Sequence, residues 1–453
     1  MTQIWAETAL LPSGWARNVT VSVQAGRIAS VAPDTQPGTA YRTGILLPAP
    51  TNLHSHAFQR AMAGLTERRG PDPRDSFWTW RQLMFRFLDQ LTPEDVEAIT
   101  AFVQMEMAEA GYAAVAEFHY LHHAPGGQSY DNPAEMSARI AAAAQTSGLG
   151  LTLLPVLYEY GGCDRRPLGP GQIRFGNRPE AFARLLEGAE TALRSLPEDT
   201  TLGLAPHSLR AVSPEGLTFA ANLRPDAPLH MHLAEQVAEV EELLAHRGAR
   251  PTTWLLDNFD VEARWCLIHC TQMTRAETHA LAATGAVAGL CPITESSLGD
   301  GIFDGVAYLA AGGRWGIGSD SNIRIALAEE LRTLDYSQRL RDLSRAALAT
   351  AERSTGRVLY AGAVQGGAQA AGRASGAIEA GKLADLLALN AQAPDLTGRE
   401  GDVILDSYIF AGDDRMITDL WSAGRHLVTQ GRHIGREAIT AAYGRTIQKL
   451  RSA

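Results

Sequence analysis

Eight short apolar stretches recur through the middle of this chain, and most of them end in a residue able to bind a metal or move a proton. In order they are "ILLPAPTNLHSH", "AAVAEFHY", "GLTLLPVLYE", "TLGLAPHSL", "PLHMHLAE", "WCLIHC", "GAVAGLCPIT" and "RWGIGSDS". Between them lie segments with helical spacing of apolar residues, such as "TPEDVEAITAFVQMEMAEAG" and "EQVAEVEELLAHRG". Short apolar strands alternating with helices predict parallel pairing through crossovers, and eight such units predict a (β/α)8 barrel. An open, doubly wound sheet is the rival, but it gives no reason for the polar strand ends. His54 and His56 close the first strand, Tyr120 the second and His207 the fourth. His232 and Glu235 close the fifth, His269 the sixth and Asp320 the eighth. In a barrel these ends share one mouth, so the side chains would converge.

The chain's 453 residues exceed one simple core, and a second β-rich texture marks its ends. "WAETALLP", "NVTVSVQAGRIASVAP" and "GILLPAP" open the chain, and "GAIEAGKLADLLALN" and "MITDLWSAGRHLVTQGRHI" return to the same pattern. The expected division is residues 1–46 and 371–453 for a small β domain built from both ends, the latter with a terminal helix, flanking a barrel over 47–370. A net charge of −10 argues against non-specific nucleic-acid binding. No run of about 18 apolar residues is present, so no membrane span is expected. The opening "MTQIWAETALLPSGW" has no basic stretch leading into an apolar one, and the four cysteines form no C-x-x-C; a reducing cytoplasm is the expected compartment.

His54 and His56, at i and i+2 on an extended chain, point to the same side. A single strand-end histidine is ordinarily a satisfied core or loop residue; several of them with an aspartate make a ligand set suited to Zn2+ or Fe2+. The fifth strand offers both His230 and His232 on one face, and alternation does not choose between them. Cys266 and Cys270, which flank His269, read as small core residues, His122 and His123 as loop residues, and "EQVAEVEELL" as the solvated face of a helix.

H-x-H after the first strand, "HLAE" after the fifth, "LIHC" after the sixth and "GIGSDS" after the eighth resemble the amidohydrolase superfamily. The resemblance spans nearly the whole chain and implies an α/β fold, a distorted (β/α)8 TIM-like barrel carrying a small β-sandwich made from both ends. It places the fifth-strand ligand at His232, three residues before Glu235, so His54, His56, His232 and Asp320 would form the metal site. Many members bridge two metals with a carboxylated lysine, yet the only lysines here are Lys382 and Lys449. One divalent ion per subunit is therefore implied, Zn2+ first, with Fe2+ possible.

Within the superfamily, "NLHSHAFQRAMAGL", "DSFWTWRQLMFR", "AEFHYLHH", "HSLRAV" and "LGDGIF" resemble the formimidoylglutamate deiminase family. "CPITESSLGDG" stands where nucleobase deaminases carry CP-x-SN, which counts against ring substrates. The resemblance implies hydrolysis of N-formimino-L-glutamate to N-formyl-L-glutamate and ammonia in histidine degradation, by a homodimer. Arg81 and Arg210 would take the two carboxylates of this small dicarboxylate substrate, helped by Tyr120, Gln59 and His207. A planar guanidinium fork matches a carboxylate in two parallel hydrogen bonds. Asp320 would receive the water's proton, His269 would position the water and stabilise charge, and Glu235 would pass a proton to the departing nitrogen. The stretch "GLTERRGPDPRDSFW", which leads to Arg81, is a candidate for closing over the substrate. Two other readings stay open: an aminohydrolase of a neutral ring, nucleobase or triazine-like, and a catalytically silent barrel subunit.

Overall fold

A computed structural model of the chain describes residues 2–67 and 77–452. Residues 68–76, most of the stretch suggested to close over the substrate, lie outside the described residues.

Five strands of the central region are buried along their whole length, whether or not polar residues alternate in them. Thr51–Ser55, Ala114–His119, Gly150–Leu157, Leu229–Leu233 and Trp265–His269 are buried at every position. That is the pattern of parallel strands covered on both faces. Thr51–Ser55 pairs in parallel with Ala114–His119, and that strand with Gly150–Leu157. Leu229–Leu233, Trp265–His269, Val287–Leu290 and Arg314–Ile317 form a second parallel run. The fourth strand is broken rather than continuous: Thr201–Leu202 and Ala205–Pro206 each pair separately with the third. Pro206 has no N–H to extend the ladder. Single bridges join the two runs, Leu204 with Leu229 and Ser208 with His232 on one side, Ser55 with Asp320 on the other. The result is the distorted eight-stranded barrel.

Closure depends on close backbone approach. A Cβ on Gly318 would lie 2.7 Å from the Cβ of His54, and one on Gly366 would lie 1.8 Å from the Trp315 carbonyl oxygen. Gly366 belongs to the helix Thr355–Ala370, which can therefore lie directly on the first and eighth strands. Helix starts follow local chemistry: Thr92 and Asp95 form a reciprocal capping box before Pro93–Glu109, and Thr274 and Glu277 do so before Arg275–Ala282.

Both chain ends meet in one eight-stranded sheet. Its order is Arg432–His433, Arg425–Thr429, Ile417–Ser422, Leu386–Leu389, Tyr41–Pro48, Thr2–Leu11, Gly14–Gln24 and Arg27–Ala32. The two halves join where Leu386–Leu389 pairs antiparallel with Tyr41–Pro48. Ile4, Val19, Val21, Leu386 and Trp421 give this sheet a core of its own. A buried ionic clamp fastens it to the barrel. Arg373 donates to Asp385 through Nε (2.6 Å) and Nη2 (2.9 Å), and its Nη2 lies 2.8 Å from Asp199 Oδ2. Arg425 reaches the same Asp199 through Nη1 (2.7 Å) and Nη2 (2.8 Å). The terminal helix Arg436–Ser452 packs on Pro93–Glu109, with Tyr443 stacked on Phe102 at 3.9 Å. Among the described residues no helix is long and apolar enough to cross a membrane.

Candidate active site

The first and eighth strands are stitched together just beneath the mouth. Asn52 Nδ2 donates to Ser319 Oγ (2.6 Å), Ser319 Oγ to Asn322 Oδ1 (2.6 Å) and Asn322 Nδ2 to Ser55 Oγ (3.1 Å), all buried. Main-chain bonds from His56 N to Asp320 O (2.9 Å) and from Asp320 N to His54 O (3.0 Å) complete the junction. Asp320 and His269 sit at φ +45° and +72°, a region that costs a non-glycine residue about 1–3 kcal/mol and is held only where the surroundings over-determine it.

His54, His56, His232 and Asp320 are all buried, and one ligating atom from each lies within 4.8 Å of the others. His54 Nε2 and His232 Nε2 are 3.2 Å apart; Asp320 Oδ1 is 3.3 Å from His54 Nε2 and 3.1 Å from His56 Nε2. Ring orientation is fixed from behind. His56 Nδ1 faces the Phe118 carbonyl at 2.9 Å and His232 Nδ1 faces the His207 carbonyl at 3.2 Å. A ring that donates through Nδ1 offers the Nε2 lone pair to the cluster. Burial pushes His54 down to about 3, despite Asp320, and holds His232 well below its ordinary range. Burial alone would raise Asp320, but the two histidines beside it outweigh that and hold its carboxyl well below the usual range. Imidazole nitrogens converging on a carboxylate are the donor set a divalent cation takes, so these four residues fit one. His230 turns away, with Nε2 2.7 Å from the Ala370 carbonyl, which settles the fifth-strand choice that alternation left open.

Glu235 and His269 lie beside the cluster. His269 Nε2 is 3.9 Å from Glu235 Oε1 and 4.0 Å from Asp320 Oδ2, while its Nδ1 is 3.2 Å from Glu295 Oε1. Burial lowers His269, but Glu235, Glu295 and Asp320 outweigh it and carry the ring up to about 10. Burial first, then the charges of Asp320 and Glu239, raise the Glu235 carboxyl. Glu239 accepts from Glu235 N at 2.9 Å and from Ala234 N at 3.2 Å, fixing the turn that aims Glu235. Glu239 is only 3% exposed, which corrects the solvated-face reading of "EQVAEVEELL" at that position.

The opposite wall carries the expected substrate residues. Gln59 Nε2 donates to the Tyr120 hydroxyl (2.8 Å), and Gln59 Oε1 is buried with no partner among the described residues. Arg81 Nη2 donates to the Tyr158 hydroxyl (2.9 Å), and Arg210 is buried. Burial and the two arginine charges hold His207 well below its ordinary range, so its ring is neutral; it stands 4.5 Å from Tyr158. Arg81 rides on Phe77–Leu88, whose far end is anchored by Arg174 through the carbonyls of Leu88 and Leu91. The cavity holds about 520 Å3 of empty space, and its lining includes His56, Gln59, Arg81, Tyr120, His207, Arg210, His232, Glu235, His269 and Asp320. Every residue given a metal, catalytic or substrate role from the sequence, except His54, therefore lines one space. Trp80, Met84, Tyr158, Phe175 and Leu298 complete the lining and carry no signal in the sequence analysis, nor does Glu295 behind His269. His122 and His123 do lie outside regular structure, but both are buried with Nε2 on the main-chain carbonyls of Val156 and Gly176.

Comparison with known proteins agrees with this geometry. A sequence model described as "Amidohydrolase family" matches residues 45–427, and one described as "Formimidoylglutamate deiminase HutF, N-terminal domain" matches residues 1–44. The chain is 49% identical to formimidoylglutamate deiminase of Pseudomonas aeruginosa, over 99% of this chain and 100% of that protein. Against 8-oxoguanine deaminase of the same organism the identity is 28%, over 76% of this chain and 73% of the relative. An amidohydrolase structure from Brucella melitensis superposes with a TM-score of 0.96 at 48% identity, covering 99% of this chain and all of the other. A zinc-bound adenosine deaminase from Xanthomonas campestris shares the fold, with a TM-score of 0.84 at 22% identity over 100% of this chain and 99% of its own. The chain belongs to the amidohydrolase family, in the group that also contains formimidoylglutamate deiminase.

Proposed function

We propose that this enzyme hydrolyses N-formimino-L-glutamate to N-formyl-L-glutamate and ammonia, a step of histidine degradation. The observation that carries the reading is that two arginines, Arg81 and Arg210, line the same small pocket as a four-residue cation site. A dianion whose other end is a formamidine matches both halves of such a pocket, whereas a neutral ring gives the arginines nothing to neutralise.

His54, His56, His232 and Asp320 would hold the cation, which we take to be zinc, with ferrous iron the chemical alternative. Such an ion supplies Lewis acidity, lowering the pKa of water from about 15.7 toward 7. Asp320 Oδ2 receives a proton from the water that attacks the formimino carbon. His269, oriented by Glu295 at its Nδ1, stabilises from Nε2 the charge that develops on the attacked group. Glu235 passes a proton to the terminal nitrogen. Asp320 then returns the water's proton to the same nitrogen while Glu235 takes the proton of the added hydroxyl, so the C–N bond breaks, the carbonyl forms and ammonia leaves. Each such positioned proton transfer contributes about 10²–10⁴-fold. Arg81 and Arg210 hold the carboxylates, with Tyr120, Gln59 and His207 as hydrogen-bonding partners. Cysteine usage supports a cytoplasmic enzyme, the net charge of −10 speaks against nucleic acid as a partner and the lack of a long apolar run against a membrane. We take the partner to be a small dicarboxylate, held by local arginines, and the assembly to be a homodimer, as relatives in the superfamily commonly are.

The test is ammonia release by purified protein of known metal content, with guanine and cytosine as controls. Release from N-formimino-L-glutamate alone, lost on chelation and restored by zinc, is expected. A fully metallated protein that releases none overturns the assignment.

A further inference from the structure

The third barrel strand, Gly150–Leu157, carries no residue of the proposed chemistry, yet the residue that follows it, Tyr158, faces the pocket. Its hydroxyl oxygen receives two hydrogen bonds, from Arg81 Nη2 at 2.9 Å and from Gln172 Nε2 at 2.9 Å. The orientation of the Gln172 amide follows from its other end, where Oε1 accepts from Gly169 N at 3.0 Å. Both partners are therefore donors. A guanidinium has no acceptor and the amide nitrogen has none, so the Tyr158 hydrogen cannot be given to either. No described residue accepts it. The ring is packed against His207 at 4.5 Å and Phe175 at 5.7 Å, and the residue is only 1% exposed, so the hydroxyl has no freedom to swing to bulk water.

We propose that Tyr158 is a further substrate-binding residue: its hydroxyl donates to a carboxylate of the substrate, beside Arg81, and Gln172 is the positioning residue that forces the donor outward. The inference rests on the dicarboxylate reading given above. Because Arg81 and Tyr158 share one hydrogen bond, the wall offers an anion two adjacent donors whose spacing is already set before the ligand arrives. A neutral tail would leave the Tyr158 hydrogen without an acceptor. The segment Gln172–Phe175 builds this wall from one side: Gln172 orients Tyr158, Arg174 anchors the helix of Arg81, and Phe175 lies 4.7 Å from Tyr120.

The experiment compares N-formimino-L-glutamate with N-butylformamidine, which keeps the reacting group and lacks both carboxylates, using wild type, Tyr158→Phe and Arg81→Met singly and together. Ammonia release from the diacid by wild type is the control for the activity itself, and its absence refutes that reading and this one with it. With that release in hand, Tyr158→Phe is expected to lower kcat/KM for the diacid by about 10- to 100-fold, chiefly through KM, the size of one hydrogen bond to a charged group. Turnover of the formamidine is expected to be unchanged. The Tyr158→Phe loss should persist in the Arg81→Met background, since a residue acting only by holding Arg81 would have no effect there. Weaker binding of N-formyl-L-glutamate to Tyr158→Phe, read by calorimetry, gives the same result without turnover. An unchanged KM for the diacid, equal losses on both substrates, or no effect in the Arg81→Met background each overturns the proposal while leaving the activity standing.

Discussion

Arg373→Met separates the two parts of the fold energetically without touching the pocket. The Arg373 side chain is 2% exposed, and it holds Asp385 by two bonds of 2.6 and 2.9 Å and Asp199 at 2.8 Å. Methionine fills much of the same space but removes the charge. Asp199 keeps Arg425, whereas Asp385 is left with one main-chain donor, Ala423 N at 2.7 Å. One buried carboxylate thus loses its counter-charge, and breaking such a pair costs about 3–5 kcal/mol. Because Asp199 remains paired, the lower end, about 3 kcal/mol, is expected. Urea unfolding followed by far-ultraviolet circular dichroism reads the loss as a lower transition midpoint. The double variant Arg373→Met with Asp385→Leu should recover most of it, since an apolar replacement of both partners leaves no charge to strand. A loss under about 1 kcal/mol, no more than an exposed pair gives, would refute the clamp.

Three further outcomes are expected. Its arginine neighbours outweigh burial and hold Asp199 near 2 against an ordinary 3.8; this depressed value contributes stability above about pH 4 that is lost as pH falls through about 2, roughly 2 kcal/mol, and acid titration of unfolding should show a shallower limb in Asp199→Asn. Arg210→Met should lower kcat/KM for the diacid by at least about 100-fold, while leaving bound metal, read by elemental analysis, unchanged. Glu239→Ala leaves the amides of Ala234 and Glu235 without their acceptor, so a stability loss of about 1–3 kcal/mol should accompany a fall in kcat larger than any change in KM.

The site was legible wherever its chemistry contrasted with its surroundings. Histidines and an aspartate at the ends of apolar runs stand out, and a barrel has one place to put them. Tyr158 did not stand out, because a tyrosine after "LLPVL" continues an apolar pattern and its role lies in which atoms reach its oxygen. Glu239 and Glu295 were hidden for the opposite reason. Acidic residues in helical runs read as solvated, and here each is buried because main-chain amides, those of Glu235 and Cys291, supply the partners. Alternation alone does not choose His232 over His230; the HLAE resemblance does, and the Ala370 carbonyl, 140 positions away, is what turns His230 from the cluster. The broken fourth strand and the pairing of Leu386–Leu389 with Tyr41–Pro48 are likewise long-range outcomes.

The junction between the first and eighth strands also orders events in time. Asn52 and Ser319, whose bond underlies the cation cluster, are 267 positions apart. A ribosome must therefore release most of the barrel before His54 and Asp320 can meet. The cation cluster thus exists only in molecules whose first and eighth strands have met. Retention of a metal through purification would serve as an inspection stamp, carried only by molecules whose eight strands have closed.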